Sequence, residues 1–335
     1  IHVHTNNLGR PGNYVTALET MRCVEDLARG DRPVIHVTHC QFSAFKGSSW
    51  GTLESGAEEI ARYVNLHRHV TLDIGQVYFT DTTTMTADGP FQYILHQLSG
   101  NKWVNHDVET ETSSGIVPFT YHRKSPVHAT QWSIGLELAL LIEDPWKVFL
   151  TTDHPNGAPF TTYPRIMAWL MSRVSRERTL KTISKRARRK SLLPSIDREY
   201  TLFEVAVATR AGTAKALGLE QKGHLGVGAD ADMAVYNLNP EEVDVSKKFI
   251  TTRRAFKRAA YTVKGGEVVV REGKVVRPVV GRTFWVDVKP NSDSLEVDAD
   301  LKKRFREYWT VEYENYPVPE DYLTAPSPIQ VQAEV

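Results

Sequence analysis

Cysteine is nearly absent. Only Cys23 and Cys40 occur in 335 residues, too few for a disulfide framework. That usage suits a reducing compartment and leads us to expect a cytoplasmic protein. Surplus charge is absent too: 41 Lys and Arg stand against 40 Asp and Glu, a formal net charge of +1. So even a balance provides no overall field for a nucleic acid or an anionic membrane, and neither is expected as a partner. No apolar run approaches the roughly 18 residues of a membrane span. Internal repeats and low-complexity tracts are missing, and the first residues carry no basic, apolar signal segment. What is present is 41% hydrophobic and 10% aromatic, the composition of a folded chain with a sizeable core rather than a disordered one. The length suggests one large domain and a smaller one.

Short apolar strands alternate with helical patterns through the first half. Ile1–His4, Pro33–Thr38, His69–Ile74 and Trp146–Thr152 read as strands. Helical spacing covers Gly12–Arg29, Leu53–Leu66, Phe91–Leu98, Gln131–Glu143 and Ile166–Val174. Repeated βα units predict a parallel sheet, and the apolar strands predict burial on both of its faces. A histidine-bearing apolar strand at the first residue leads us to expect the C-terminal piece of something longer. From Gly223 to about Val288 the chain is glycine-punctuated and β-branched, with Gly265-Gly266 as a hairpin turn. Lys181 to Lys190 is rich in Lys and Arg; such runs are usually solvated helix faces. Gly223-His224-Leu225-Gly226-Val227-Gly228 matches neither phosphate-loop fingerprint and reads as turns.

In parallel α/β barrels, reactive groups stand at the C-terminal ends of strands. The first strand ends in His4, the second holds His36 with His39 three residues on, and the fourth ends in Thr152-Asp153-His154. Neutral imidazole and carboxylate are the ligands a Zn²⁺-like ion prefers. A histidine in an apolar strand is more often a hydrogen-bonded core residue than a ligand. His2 is assigned that role and is expected to point away from His4. His67, His69, His96, His106, His122 and His128 lack strand-end placement and read as surface or structural. No Cys-His-Asp arrangement supports a cysteine nucleophile.

These residues carry a resemblance. Val3-His4-Thr5-Asn6-Asn7, Val34-Ile35-His36-Val37-Thr38 and Thr152-Asp153-His154-Pro155 resemble the fifth-, sixth- and eighth-strand motifs of cyclic amidohydrolases such as hydantoinases. Lys222 to Asp232 resembles the segment where such chains re-enter a small β-sandwich. Residues 2–9, Thr83–Phe91 and Gln131–Ile142 are similar, more closely, to the amidohydrolase-subunit family of formylmethanofuran dehydrogenases. The likeness spans about residues 1–290.

The resemblance implies an α/β fold: residues 1–220 as the C-terminal half (strands 5 to 8) of a TIM-like (β/α)8 amidohydrolase barrel, 221–290 as part of a β-sandwich and 291–335 as a C-terminal arm. It implies a dinuclear zinc site, with His4 and His36 on one zinc and Asp153 on the other and acting as acid/base. Asn7, His39 and His154 are neighbouring substrate or supporting candidates. The family's His-x-His pair and bridging carboxylated lysine are expected on an N-terminal half-barrel chain or segment. The implied reaction interconverts formate plus methanofuran with N-formylmethanofuran. Partner subunits would carry a tungsten or molybdenum pterin and iron–sulfur clusters and interconvert CO₂ and formate. Two alternatives stand beside it: the corresponding subunit of a formyltransferase/hydrolase complex that releases formate, and a non-catalytic scaffold of the same fold. A stand-alone hydantoinase or dihydroorotase fits the insert at 100–130 and the tail less well. In the arm, Tyr308, Trp309, Tyr313 and Tyr316 suit an interface.

Overall fold

The computed structural model describes residues 1–28, 30, 32–86, 89–102, 104–106, 114–281, 283–284, 286–289, 294–308 and 329–332. Along the chain come β1 (His2–Val3), α1 (Tyr14–Arg22), β2 (Ile35–Val37), a hairpin of β3 (Phe45–Lys46) and β4 (Glu54–Ser55), α2 (Ala57–Leu66) and β5 (Val70–Asp73). Next are β6 (Asp81–Thr86), α3 (Gly89–Ser99), β7 (Val104–His106), β8 (Ser114–Thr120), α4 (Pro126–Leu141) and β9 (Val148–Phe149). Helices α5 (Tyr163–Leu170), α6 (Arg173–Leu180), α7 (Lys185–Lys190) and α8 (Leu202–Ala206) follow, then a π-helical turn at Val207–Ala211 and α9 (Gly212–Ala216). The remainder holds β10 (Met233–Tyr236), α10 (Phe249–Lys257), β11 (Ala259–Lys264), β12 (Glu267–Arg271), β13 (Lys274–Val275), β14 (Val286–Lys289), α11 (Ser294–Tyr308) and β15 (Ile329–Gln332).

Two compact units emerge: Ile1–Thr84 with Pro118–Arg277, and Met85–Val117 with Pro278–Val335. In the second, β7 pairs antiparallel with β8, and β14 pairs parallel with β15. Of the expected arm, Trp309, Tyr313 and Tyr316 lie outside the described residues, as do Ala87 and Asp88 of the resemblance segment.

The first unit is built on a parallel sheet in the order β1-β2-β5-β9, which is also chain order. Its register puts Val3, Ile35, Val37, Val70, Leu72 and Val148 on one face, because residues two apart share a face and partners align laterally. That face joins Met21, Ile60, Val64, Leu136 and Leu138 in the main core. The expected burial on both faces holds for β5 and β9, whose residues are all buried, although the second face is largely polar. The opposite face carries His2, His36, Thr71, Asp73 and Phe149. These polar groups tolerate burial because they hydrogen-bond one another, as described below.

Several elements are shorter than their apolar spacing suggests. Instead of running from Gly12 to Arg29, the first helix ends at Arg22. The Ile166–Val174 pattern is two helices, because Ser172 leaves helical geometry and its side chain accepts a hydrogen bond from the Ser175 N–H as the cap of α6. A four-stranded antiparallel sheet, β10-β11-β12-β13, turns at Gly265-Gly266. Both glycines have positive φ, +57° and +84°, as a two-residue turn of this hand requires. Lys222 ties its entry by pairing with Asp230 (2.6 Å) and Asp232 (2.8 Å).

Asn13 holds the loops after β1 and β2 together. Its amide donates to the carbonyls of Asn7 (3.0 Å) and Phe42 (2.7 Å) and accepts from the Phe45 N–H (2.9 Å). Asn13 is buried, so replacement removes three hydrogen bonds and leaves the Phe45 N–H without its acceptor, while the Asn7 and Phe42 carbonyls keep the N–H groups of Arg10 and Gly9. Asn13→Ala is expected to cost about 2–4 kcal/mol, read as a lowered midpoint in urea unfolding. A second expectation concerns His128, whose Nδ1 accepts the His122 N–H at 2.9 Å. Burial, helped by His122, holds its pKa down to about 4 from the ordinary 6.5. The unfolded chain therefore takes up this proton below pH 6.5 while the folded chain does not. Stability is unaffected by His128 above that pH and falls as pH drops from 6.5 towards 4, by up to about 3 kcal/mol. A His128 ring resonance with an NMR midpoint near 4 is the expected observation; a midpoint near 6.5 would refute it.

Candidate active site at the strand ends

Each of the four strand-end loops holds a residue in the left-handed region soon after its strand. They are Asn7 (φ 59°), His39 (φ 37°), Gly75 (φ 58°) and Asp153 (φ 46°). For a non-glycine residue this conformation costs of order 1–3 kcal/mol, and such residues gather at functional sites. Gly75 could be nothing larger: a Cβ there would lie 2.6 Å from the Cβ and 2.7 Å from the Cα of His39.

These loops place a group of imidazoles and carboxylates together. His39 and His4 meet through Nε2 and Nδ1 at 2.7 Å, so one proton lies between two rings. The His2 ring stands 5.3 Å from both His4 and His36. Here the expectation for His2 is corrected: period-two alternation puts residues 2 and 4 on the same face, not opposite ones. His36 reaches Thr71 Oγ1 through Nδ1 at 2.9 Å and Asp73 Oδ2 through Nε2 at 3.1 Å. Its ring stacks on Phe149, 5.6 Å between centroids.

Asp73 is not among the residues expected from the sequence, although it ends the third strand as His4 and Asp153 follow the first and fourth. The strand-end rule, applied to Thr71-Leu72-Asp73-Ile74, finds it. Its Oδ1 accepts the His39 backbone N–H at 3.0 Å and the Thr151 hydroxyl, while Oδ2 takes the His36 contact. Burial pushes its pKa up, yet the hydrogen bonds from His36, Thr151 and Thr38 outweigh that and hold it below the ordinary carboxylate value.

Asp153 behaves in the opposite sense. Burial and the nearby Asp73 raise its pKa, against the pull of His39, His4 and a 3.0 Å hydrogen bond from Asn156 Nδ2. Its carboxyl is therefore closer to exchanging a proton at neutral pH than Asp73 is. Burial lowers the pKa of His4, with His39 as the next cause, and lowers that of His2, with His36 next. Both rings are thus kept in the neutral form that can act as a ligand. Burial also holds the Cys40 thiol protonated, which weighs against a cysteine nucleophile.

The structure brings His4, His36, His39 and Asp153 to one end of the sheet. Asn7 is turned elsewhere: its amide donates to Thr16 Oγ1 on α1 at 3.1 Å. The exposed His154 ring accepts the Phe160 N–H at 3.3 Å through Nδ1 and packs edge-on to Phe160. Among the described residues, no three of His, Cys, Asp and Glu are arranged to hold a metal ion. The donor types suit a zinc-like ion, but the donors face one another. His39 Nδ1 is a buried ring nitrogen without a described hydrogen-bond partner, a donor position still open. Asp73→Asn tests the hub, because one amide hydrogen would face His36. A loss of about 1–3 kcal/mol in chemical denaturation is expected; no change would show that Asp73 holds nothing together.

Known proteins resemble this chain along most of its length. The sequence profile of the amidohydrolase family matches residues 2–270. Protein FwdA of Methanocaldococcus jannaschii is 52% identical over 341 residues, which is 99% of this chain and 59% of that protein. The protein FhcA, from the formyltransferase/hydrolase complex Fhc of Methylorubrum extorquens, is 38% identical over 319 residues, 92% of this chain and 53% of that protein. The chain thus spans between half and three-fifths of the relatives it matches. The crystal structure of the M. extorquens formyltransferase/hydrolase complex FhcABCD with methylofuran superposes with a TM-score of 0.78 at 33% identity, over 99% of this chain and 59% of that one. With the parallel sheet, its covering helices and the strand-end imidazoles and carboxylates, these matches place the chain in the amidohydrolase family, and its fold is the α/β amidohydrolase fold.

Proposed function

We propose that this chain supplies part of the active site for a formyl-amide reaction, interconverting formate plus methanofuran with N-formylmethanofuran, as the amidohydrolase subunit of a formylmethanofuran dehydrogenase in the cytoplasm. The observation that carries this reading is the gathering of His4, His36, His39 and Asp153 at one end of the sheet in a chain 52% identical to FwdA. The barrel half at 1–220, the sandwich portion at 221–290 and the arm at 291–335 remain our division of it. The other barrel strands, with their His-x-His pair and carboxylated lysine, belong on this reading to the length of the relatives that this chain does not span.

His4 and His36 would hold one zinc and Asp153 the other. For that, His36 has to part from Asp73 or Thr71, whereas His4 meets His39 through Nδ1 and has Nε2 to offer. When bound, such ions polarise the amide carbonyl and acidify water. The chain's own residues do the rest. Asp153, with its raised pKa, accepts a proton from the attacking water and returns it to the amine nitrogen as the C–N bond breaks. Asp73 keeps His36 and the His39 backbone in register. His39, buried at a loop held by Gly75, orients His4. Tungsten or molybdenum pterin and iron–sulfur clusters would sit in partner subunits.

A second reading has its own support, because the solved relative is a formyltransferase/hydrolase complex bound to methylofuran. There the same site would release formate without CO₂ chemistry. Both readings are tested on the whole assembly purified from its source. Zinc near two per barrel is expected, with Asp153→Asn lowering formyl-amide hydrolysis by ~10³-fold or more while subunit composition is unchanged. Tungsten or molybdenum with iron would select the dehydrogenase; their absence would select the hydrolase complex. Full activity in Asp153→Asn, or an assembly without divalent metal, would leave a scaffold.

A further inference from the structure

Helix α7 reads Lys185-Arg186-Ala187-Arg188-Arg189-Lys190. Five of its six residues are cationic, and its like charges lie three and four apart, a spacing that destabilises a helix. The fold nevertheless holds it firmly. Ala187 is buried. The Ser184 N–H bonds the Arg123 carbonyl at 2.9 Å. Just past the helix, buried Glu137 accepts the Ser191 hydroxyl at 2.9 Å and the Leu192 N–H at 2.8 Å. Lys190 is neutralised by Glu54 at 2.6 Å. Lys185, Arg186, Arg188 and Arg189 are exposed, and no described carboxylate pairs with them. Lys181, in the turn before α7, and Lys124, next to Arg123, are exposed and unpaired in the same sense. A chain of net charge +1 has thus concentrated cations on a rigid support.

We propose that this face of α7, with Lys181 and Lys124 beside it, docks an acidic patch on another protein subunit of the assembly. The inference rests on the multi-subunit reading above. The chemistry argues against the other polyanions. A membrane-surface helix needs an apolar face to insert, and the single apolar residue of α7 is buried. The footprint of a nucleic-acid-binding domain is a basic stripe on a domain of pI above about 9, whereas this chain has a pI of about 7.9. Three of the four unpaired cations on α7 are arginines, whose planar forks suit carboxylates held in fixed positions on a folded surface.

The test uses the intact assembly purified from its source. Carbodiimide coupling, which joins an amine to a carboxylate in contact with it, should link Lys181 or Lys185 to Asp or Glu of another chain, located by mass spectrometry. In the full-length protein, Arg186→Gln/Arg188→Gln/Arg189→Gln should weaken retention of that chain about tenfold or more at low salt. Lys190→Gln serves as the comparison and should have little effect. Retention of every subunit by the triple variant, with Lys185 freely acetylated in the assembly, would overturn the docking surface and leave the multi-subunit reading intact. Wild-type protein that purifies with no other chain would overturn both. Binding of the wild type, but not the triple variant, to RNA or to phosphatidylserine vesicles at 0.15 M salt without a cross-link to protein would show that the partner class is wrong.

Discussion

A buried carboxylate, Asp73, is the constraint on which the strand-end site depends. A charge away from water is tolerated only when donors surround it. Asp73 has them from three separate parts of the chain: the His36 ring on β2, the His39 backbone in the loop beyond, and the Thr151 hydroxyl after β9. Those contacts hold its pKa down despite burial. They also fix which way His36 faces and where the His39 loop begins. Elements from positions 36, 73 and 151 are thereby tied at one point, and the positions of the imidazoles follow from it. Removing any one donor, Thr38 included, leaves the others to carry the charge, so the hub is expected to fail as a unit rather than piece by piece.

Around this point the loops are shaped by strain and by lack of side chain. His39 and Asp153 are left-handed without being glycine, and each costs conformational energy that the rest of the fold must supply. Gly75 and Gly157 answer them. A Cβ on Gly157 would come within 2.6 Å of the Thr152 carbonyl and 3.0 Å of those of Gln76 and Gly75. The loops after β5 and β9 can therefore lie backbone against backbone, which brings Asp153 within electrostatic reach of His39, His4 and Asp73. The same closeness sets the two carboxyls apart. Asp73, well supplied with donors, stays ionised, while Asp153 has one described side-chain donor and is pushed up. Unequal hydrogen bonding of neighbouring carboxyls is a recurrent way to assign different roles to chemically similar groups.

The parallel sheet is legible in the sequence because apolar strands and amphipathic helices have different periods, 2 and 3.6. The strand-end rule finds His4, His36 and Asp153 without any geometry. The same rule reaches Asp73 when applied to the third strand, but Val70-Thr71-Leu72-Asp73 looks like an apolar strand leading into Ile74, and histidine is the more conspicuous ligand type. The correction to His2 needs no structure either, since residues two apart on a strand share a face. Other features are not legible. No local pattern announces that Asn7 turns to Thr16, or that Asn13 spans the loops after β1 and β2, since both depend on loops meeting in space. Nor does apolar spacing mark the break at Ser172, where a side-chain cap overrides a helical run.

The polar face of the sheet is self-satisfied: His4 with His39, His36 with Thr71 and Asp73, Asp153 with Asn156. A fold that leaves its reactive groups paired with one another does not need a ligand to be stable. A net hydrogen bond in water is worth about 0.5–1.5 kcal/mol, whereas structural metal sites bind with roughly 10–16 kcal/mol. Exchanging one such bond at His36 for ligation is therefore a small deduction. On the proposed reading, the contact that gives way to ligation is one of the two on His36, while His4 keeps His39 on one ring nitrogen and offers the other.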